Sequence, residues 1–276
     1  MNAICSIARK ELQDGLRNRW MLAISLLFVV LAVGIAWFGA AASGQVGFSS
    51  IDATVASLTS LATFLIPLIA LLLAYDAIVG EDEGGTLLLL LTYPLSRGQL
   101  LLGKFLGQGL ILALATILGF GAAAVAIAAM VSDLNLTVLF VAFSRFIVSS
   151  ILLGWAFMAL AYLLSAQARE KSSAAGMALG VWFWFVLVFD LLLLALLVAS
   201  KGQFSPQLLP WLLLLNPTDI YRQINLNGLN AGNEMTGLLA LGQSLPAGTL
   251  VLWSVLGLWV ILLLALAYHR FARRPI

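Results

Sequence analysis

The sequence predicts an all-α integral membrane protein with six transmembrane helices and an amphipathic surface helix ahead of them. Three observations carry this reading. Of 276 residues, 62% are hydrophobic and only 9% are Asp, Glu, Lys or Arg, with a mean hydropathy of +1.07. A soluble domain typically holds about 45–50% apolar and about 25% charged residues, so this chain cannot cover itself with a polar surface. Six apolar runs reach the roughly 20 residues that cross a bilayer core as helix. The Lys and Arg residues gather on one side of those runs. The runs are continuous rather than alternating, which argues against a β-barrel. The same composition excludes disorder, a coiled coil and a nucleic-acid-binding domain.

Residues 1–19 precede the first run. Ile4, Ile7, Ala8, Leu12 and Leu16 recur at helical spacing, with Arg9, Lys10, Gln13, Asp14 and Arg17 mostly off that stripe. This is the pattern of a helix lying on a membrane surface. It serves as an anchoring elbow or as a contact for a cytosolic partner.

The six spans are Trp20–Ala41, Val55–Val79, Phe105–Val131, Val138–Ser165, Ser173–Ala199 and Gly248–His269. Ala40-Ala41-Ala42 has the look of a signal-peptide cleavage site. The apolar run before it, however, exceeds the usual length of about 7–15 residues, so a retained first helix is expected. Pro67, inside the second span, should bend it. Arg9, Lys10, Arg17, Arg19, Arg97, Lys104, Arg169, Lys171, Arg270, Arg273 and Arg274 all fall on one side, which places both termini in the cytoplasm.

The segment 200–247 then lies outside the cell membrane. Pro206–Leu215 is apolar but too short to span, which suits an interfacial or re-entrant helix. Asn216-Pro217-Thr218-Asp219 is a turn and helix-start signal. The Asn- and Gly-rich stretch through Glu234 is expected to be exposed, and Leu238–Leu245 to dip back into the interface.

One cysteine, Cys5, and one histidine, His269, exclude an intrachain disulfide framework and a His-pair metal site within one chain. Gly98 to Lys104 fits the first seven positions of a phosphate-binding loop, but Phe105 stands where the magnesium-ligating hydroxyl belongs and no strand precedes it. The chain should not hydrolyse ATP. With no clustered carboxylates in a pocket, an enzyme is not expected.

The motif that does carry information lies between the second and third spans. Glu81-Asp82-Glu83-Gly84-Gly85-Thr86 opens onto Leu87 to Leu91, then Thr92-Tyr93-Pro94-Leu95-Ser96-Arg97 and Gly103-Lys104. Acids at a helix start suit the positive end of its dipole. Five leucines too short to span need a groove or the membrane interface, and Pro94 stops the helix. The segment reads as a short helix on lipid or as a coupling helix that docks into a soluble partner.

This acidic-Gly-Thr-leucine-Pro-Ser-Arg-Gly-Lys arrangement, set between the second and third of six spans, resembles the ABC-2 type permeases of ABC transporters. Over the whole chain the sequence is similar to the permeases of Nos systems, which mature the copper centres of nitrous-oxide reductase. The resemblance implies the ABC-2 (type V exporter-like) fold, a homodimer in the bacterial inner membrane and two cytosolic ATPase subunits that bind the ATP and magnesium. It also implies a periplasmic accessory protein of repeated β-structure. Carried onto the motif positions, the ATPase-coupling role falls on Glu81, Glu83, Gly85, Thr86, Pro94 and Arg97, with Arg169 and Glu170 in a second cytoplasmic contact. Asn216, Asp219, Tyr221 and Arg222 fall in the loop that would meet the periplasmic partner.

A copper path needs soft sulfur or imidazole ligands. Cys5, His269 and Met21, Met130, Met158, Met177 and Met235 form no ladder across the bilayer, so copper conduction through this subunit is not expected. Two readings remain: export of a small species such as a sulfur compound, or transmission of ATP-driven motion to the periplasmic partner. A secondary transporter fits less well, because only Pro67 and two intramembrane charges hint at one.

Those charges are Arg145 and Asp190, placed at similar depth in antiparallel spans. An intramembrane charge is costly and usually paired or functional. An Arg145–Asp190 ion pair is the expectation, against outward snorkelling of Arg145 and a protonated or hydrated Asp190. Asp76 is assigned to the coupling region. Gly103/Gly107 and Gly176/Gly180 have the spacing that lets helices approach closely, within the chain or across a dimer.

Overall fold

The computed structural model describes residues 3–17, 20–38, 48, 50–131, 134–200, 209–226 and 248–274. Of the stretch expected to be exposed through Glu234, residues 227–234 lie outside the described residues, as do the return at Leu238–Leu245, Arg19 and Lys201.

The described residues form helices α1 (Ala3–Arg17), α2 (Trp20–Phe38), α3 (Ile51–Ala74), α4 (Val79–Glu83), α5 (Thr86–Thr92), α6 (Arg97–Met130) and α7 (Leu136–Gln167). After these come α8 (Lys171–Phe183), a π-helical turn (Trp184–Val188), α9 (Phe189–Ala199), α10 (Leu209–Leu213), α11 (Pro217–Leu226) and α12 (Thr249–Ala272). Five helical stretches are long and apolar enough to cross a membrane: α3–α4, α6, α7, α8–α9 and α12. Counting the bent pair α1–α2, which turns by 64°, brings the number to six.

Helix α6 starts at Arg97, eight residues before the expected span. The cause is local. The Ser96 hydroxyl accepts from the Gln99 N–H at 3.2 Å, and the Gln99 side chain accepts from the Ser96 N–H at 3.0 Å. This reciprocal capping satisfies donors that a helix start leaves free. The near-miss phosphate loop, Gly98 to Lys104, is therefore the first two turns of a helix.

Helix α7 is the central post and packs on α3, α6, α8, α11 and α12. Its inward face holds Gly154, Ala156, Ala159 and Ala161, all buried. Small residues let helix backbones approach where lipid offers no hydrophobic drive to associate. An aromatic chain crosses the bundle from α2 to α11: Phe28 stacks on Phe120 at 4.5 Å, Phe120 meets Phe146 edge-on at 4.8 Å, and Phe146 lies 6.4 Å from Tyr221.

Gly103 and Gly107 serve α1 rather than a dimer. A Cβ on Gly103 would stand 2.7 Å from Ile7 Cβ, and one on Gly107 would stand 2.5 Å from Glu11 Cβ and 2.8 Å from the Ala8 carbonyl. The amphipathic helix therefore lies on α6, with its backbone in a glycine-lined groove. Gly176 and Gly180 face open space. The α8–α9 span is also the most exposed, with 11% of its apolar window inside the bundle.

The bundle has two distinct ends. One, the basic end, carries α1, the α4–α5 excursion, the α7–α8 turn and the end of α12. The other half receives α10 and α11.

Candidate functional site

The site at the basic end is built on α4 and α5. Helix α4 begins where Ser165 of α7 reaches across: its hydroxyl accepts from the N–H groups of Ile78 and Val79 at 3.0 and 3.1 Å. Two orphan donors of the helix start are thereby paired from another element. Glu81, Asp82 and Glu83 lie on α4, a continuation of α3, and do not head the leucine helix. Gly85 follows with φ of +68°, in the left-handed region where a side chain is strained. The Thr86 hydroxyl then donates to the Glu81 carbonyl at 3.1 Å. The Gly85-Thr86 pair thus turns the chain and ties α5 back to α4.

The three adjacent acids diverge around the helix, and each binds a different element. Glu81 Oε1 meets Lys104 Nζ of α6 at 2.6 Å, and the same ammonium reaches Glu11 of α1 at 3.4 Å. Asp82 Oδ2 accepts from Arg274 Nη2, beyond α12, at 2.6 Å. Glu83 Oε1 accepts the Lys171 N–H at the first turn of α8 at 2.7 Å. Carboxylates placed on free N–H groups at a helix start are favoured by the dipole and by the unpaired donors.

Arg97 completes the set. Its Nη1 lies 2.8 to 3.0 Å from the carbonyl oxygens of Phe271, Ala272 and Arg274, and its guanidinium stands 5.7 Å over the Phe271 ring. A cation on the last carbonyls of a helix neutralises its negative end. Glu81, Glu83 and Arg97 thus make intrachain bonds to three helices. Glu81 and Arg97 are partly buried, and Glu83 is exposed while bonded to the start of α8. Partly buried charges such as Glu81 and Arg97 need partners nearby, and this chain supplies them.

Helix α5 offers an apolar face outward, beside the exposed Glu83 and Thr86. Leu87 is buried, but Leu88, Leu89 and Tyr93 are exposed by 59%, 64% and 64%. Pro94 ends this face and is itself exposed. In the second expected contact, Arg169 and Glu170 are exposed in the turn between α7 and α8.

The second polar cluster lies in the other half of the bundle. Arg222 Nη1 meets Asp190 Oδ2 at 2.5 Å and Asp219 Oδ1 at 3.0 Å. The expected Arg145–Asp190 pair is therefore corrected: Asp190 takes its cation from α11. The Arg145 Nε has no partner among the described residues. Sequence reasoning compared only residues in long spans, and missed that a short helix could enter the bundle. The signal was present in the Asp219-x-x-Arg222 spacing, which sets both side chains on one helix face.

Helix α11 is correspondingly not a surface. Asn216, Asp219 and Tyr221 are buried and Arg222 is 14% exposed at its side chain. This corrects the expectation that these four form the external docking face. Ile220 and Ile224 pack on Leu252 and Leu256 of α12. The Tyr221 hydroxyl hydrogen-bonds that of Ser150 at 3.0 Å, and Asn225 Nδ2 donates to Ser149 Oγ at 2.8 Å. Asn216 caps α11 by accepting the Thr218 N–H at 3.0 Å. Its Nδ2 donates to the Phe185 carbonyl at 2.9 Å, at the π-helical turn. A π turn disturbs the helical ladder and offers carbonyls to outside donors. Helix α7, α9 and the π turn pair part of this buried polar helix, while Asp219 Oδ2, both amide atoms of Gln223 and Asn225 Oδ1 have no partner among the described residues.

The model of the family described as ABC-2 family transporter protein matches residues 5–275. The chain belongs to the ABC-2 family. Among its relatives is the probable ABC transporter permease protein NosY of Stutzerimonas stutzeri, 70% identical over 274 residues and covering 99% of each chain. The protein of the same description from Pseudomonas aeruginosa is 68% identical over 276 residues, covering both chains completely. This family member is a multi-pass membrane protein, and its relatives are named as permeases rather than as enzymes. Within the family's frame, the α4–α5 excursion and the α11 insertion occupy opposite halves of one bundle, joined by α3, α7 and α12.

Proposed function

We propose that this chain is the membrane subunit of an ABC transporter in which a separate ATPase drives the bundle from the basic end. On this reading the basic end is cytoplasmic, both termini lie there, and the membrane is the bacterial inner membrane. Two ATPase subunits bind the ATP and magnesium, and two copies of this chain form the membrane core. The exposed α8–α9 span, with its open Gly176 and Gly180, is the face for the second copy.

The observation that carries the reading is the division of labour on α4–α5. Leu88, Leu89 and Tyr93 form an exposed apolar face, and the acids beside it are bonded to α6, α8 and the end of α12. A push on that face moves α4 and, through these bonds, three other elements. Glu81, Glu83, Gly85, Thr86, Pro94 and Arg97 keep the coupling role, with Glu81 and Arg97 as the linkage behind the contact and the exposed Glu83, Gly85, Thr86 and Pro94 beside it. Arg169 and Glu170 supply a second contact in the α7–α8 turn.

On this reading the complex serves assembly of the copper centres of nitrous-oxide reductase, which is what the resemblance to the permeases of Nos systems implies. The far-side output is motion of a periplasmic β-repeat partner or export of a small species. Transmission is favoured by α11, a polar helix bonded to both the π turn and α7. Flux of labelled sulfur or copper into inverted vesicles, measured beside nucleotide-dependent motion of the periplasmic partner, tests it. ATP-dependent flux without partner motion would reject transmission. Copurification of an ATPase, lost in Leu88→Asp/Leu89→Asp, tests the coupling face; retention in that variant rejects it.

A further inference from the structure

At the basic end a cleft of about 740 Å³ opens between the end of α12 and the α7–α8 turn, lined among others by Asp82, Arg169, Leu266, Arg270, Arg273 and Arg274. The four arginines are not equivalent once their bonds are counted. Arg274 is spent inside the fold: it binds Asp82 at 2.6 Å and donates to the carbonyls of Ser165 and Ala166 at 3.1 and 3.3 Å. The end of α12, which would otherwise repel an anion, is already covered by Arg97. That leaves Arg169, Arg270 and Arg273 without an ion-pair partner among the described residues. The one acid in the lining, Asp82, is neutralised.

Helix α12 gives the cleft a second chemistry. Leu262, Leu266, Arg270 and Arg273 follow one helical stripe at four- and three-residue steps. Leu262 and Leu266 are 47% and 44% exposed, and both arginines are exposed. The stripe runs from apolar to basic and ends in a recess. An anionic phosphate with a hydrocarbon chain attached matches it: the phosphate enters between Arg270 and Arg273, and the chain lies along Leu266 and Leu262. A guanidinium is suited to a phosphate because its fork of donors pairs two oxygens.

We propose that this cleft binds the headgroup of an anionic phospholipid from the leaflet at the basic end. The bound headgroup sits beside the Asp82–Arg274 bridge, so the lipid contacts the same linkage that holds α4. The site stands independently of which partner meets α5.

Native mass spectrometry of the full-length chain, with and without its ATPase partner, tests this in micelles carrying phosphatidylglycerol and phosphatidylcholine. Phosphatidylglycerol is retained in preference by the wild type. Arg270→Gln/Arg273→Gln lowers that retention about 25-fold, at about fivefold per arginine for charges near a membrane surface. Arg9→Gln/Arg17→Gln, which removes exposed charge from α1 instead, leaves retention unchanged. Equal retention of the two lipids, or an equal loss in both double variants, overturns the proposal. Displacement of the lipid by inorganic phosphate alone assigns the cleft to a free anion and overturns the lipid assignment. Loss of the lipid when the ATPase binds makes the cleft a protein contact and overturns it as well.

Discussion

Arg222 on α11 and Asp190 on α9 are bonded to each other inside the bundle, 32 residues apart in sequence. Asp219 shares the same guanidinium nitrogen. One cation between two carboxylates pins a short helix that is itself too short to span. Removing Arg222 as Arg222→Leu leaves two acids without their cation. Breaking a buried pair by deleting one partner costs about 3–5 kcal/mol. Thermal unfolding in detergent should show a marked drop in Tm. Asp190→Asn, which keeps a hydrogen-bond acceptor for Arg222, should lose less. The exchange Arg145→Asp/Asp190→Arg should not restore wild-type stability; rescue by that exchange would return the pair to Arg145.

Lys104 is buried between Glu81 and Glu11 and joins α6 to both α4 and α1. Lys104→Met should release both acids and lower stability by about 3 kcal/mol or more. Hydrogen exchange should rise in α1 and α4 together. Faster exchange in one element alone would mean that the ammonium does not join them. Lys104→Met/Glu81→Gln should recover part of the loss, because fewer charges are left unpaired.

Leu88 and Leu89 are exposed on α5. Leu88→Asp/Leu89→Asp should leave folding within about 0.5 kcal/mol, as surface changes usually do. The same variant should lose its ATPase on copurification. A large loss of stability would place these leucines in the core instead.

Gly107 lies under Ala8 and Glu11 at distances no Cβ can accept. Gly107→Ala should push α1 away and cost about 1–3 kcal/mol, the usual range for overpacking. The exposed Cys5 on α1 reports this directly, because its labelling rate should change with the helix position. Gly176→Leu and Gly180→Leu meet open space. They should leave the fold of one chain intact while reducing the dimer fraction in size-exclusion measurements.

The membrane class, the apolar runs and the basic side were legible in the sequence, because hydropathy over about 20 residues and the placement of Lys and Arg are local sums that tertiary contacts barely alter. The turn at Gly85, the capping box at Ser96 and the start of α11 at Asn216 are equally local: each depends on neighbours within three residues. The partners of the charges were not legible. Glu81, Asp82 and Glu83 are adjacent in sequence, yet helical geometry points them to Lys104, Arg274 and Lys171. Asp190 had two arginines to choose from, and hydropathy favoured the one in a span. Only the packing of α11 against α7, α12 and the π turn brought Arg222 to it. Linear spacing says which groups share a helix face, but pairing between helices depends on crossing, depth and rotation. Those are set by packing side chains across the whole bundle, and in this chain that packing turned an expected partner surface into an internal linkage.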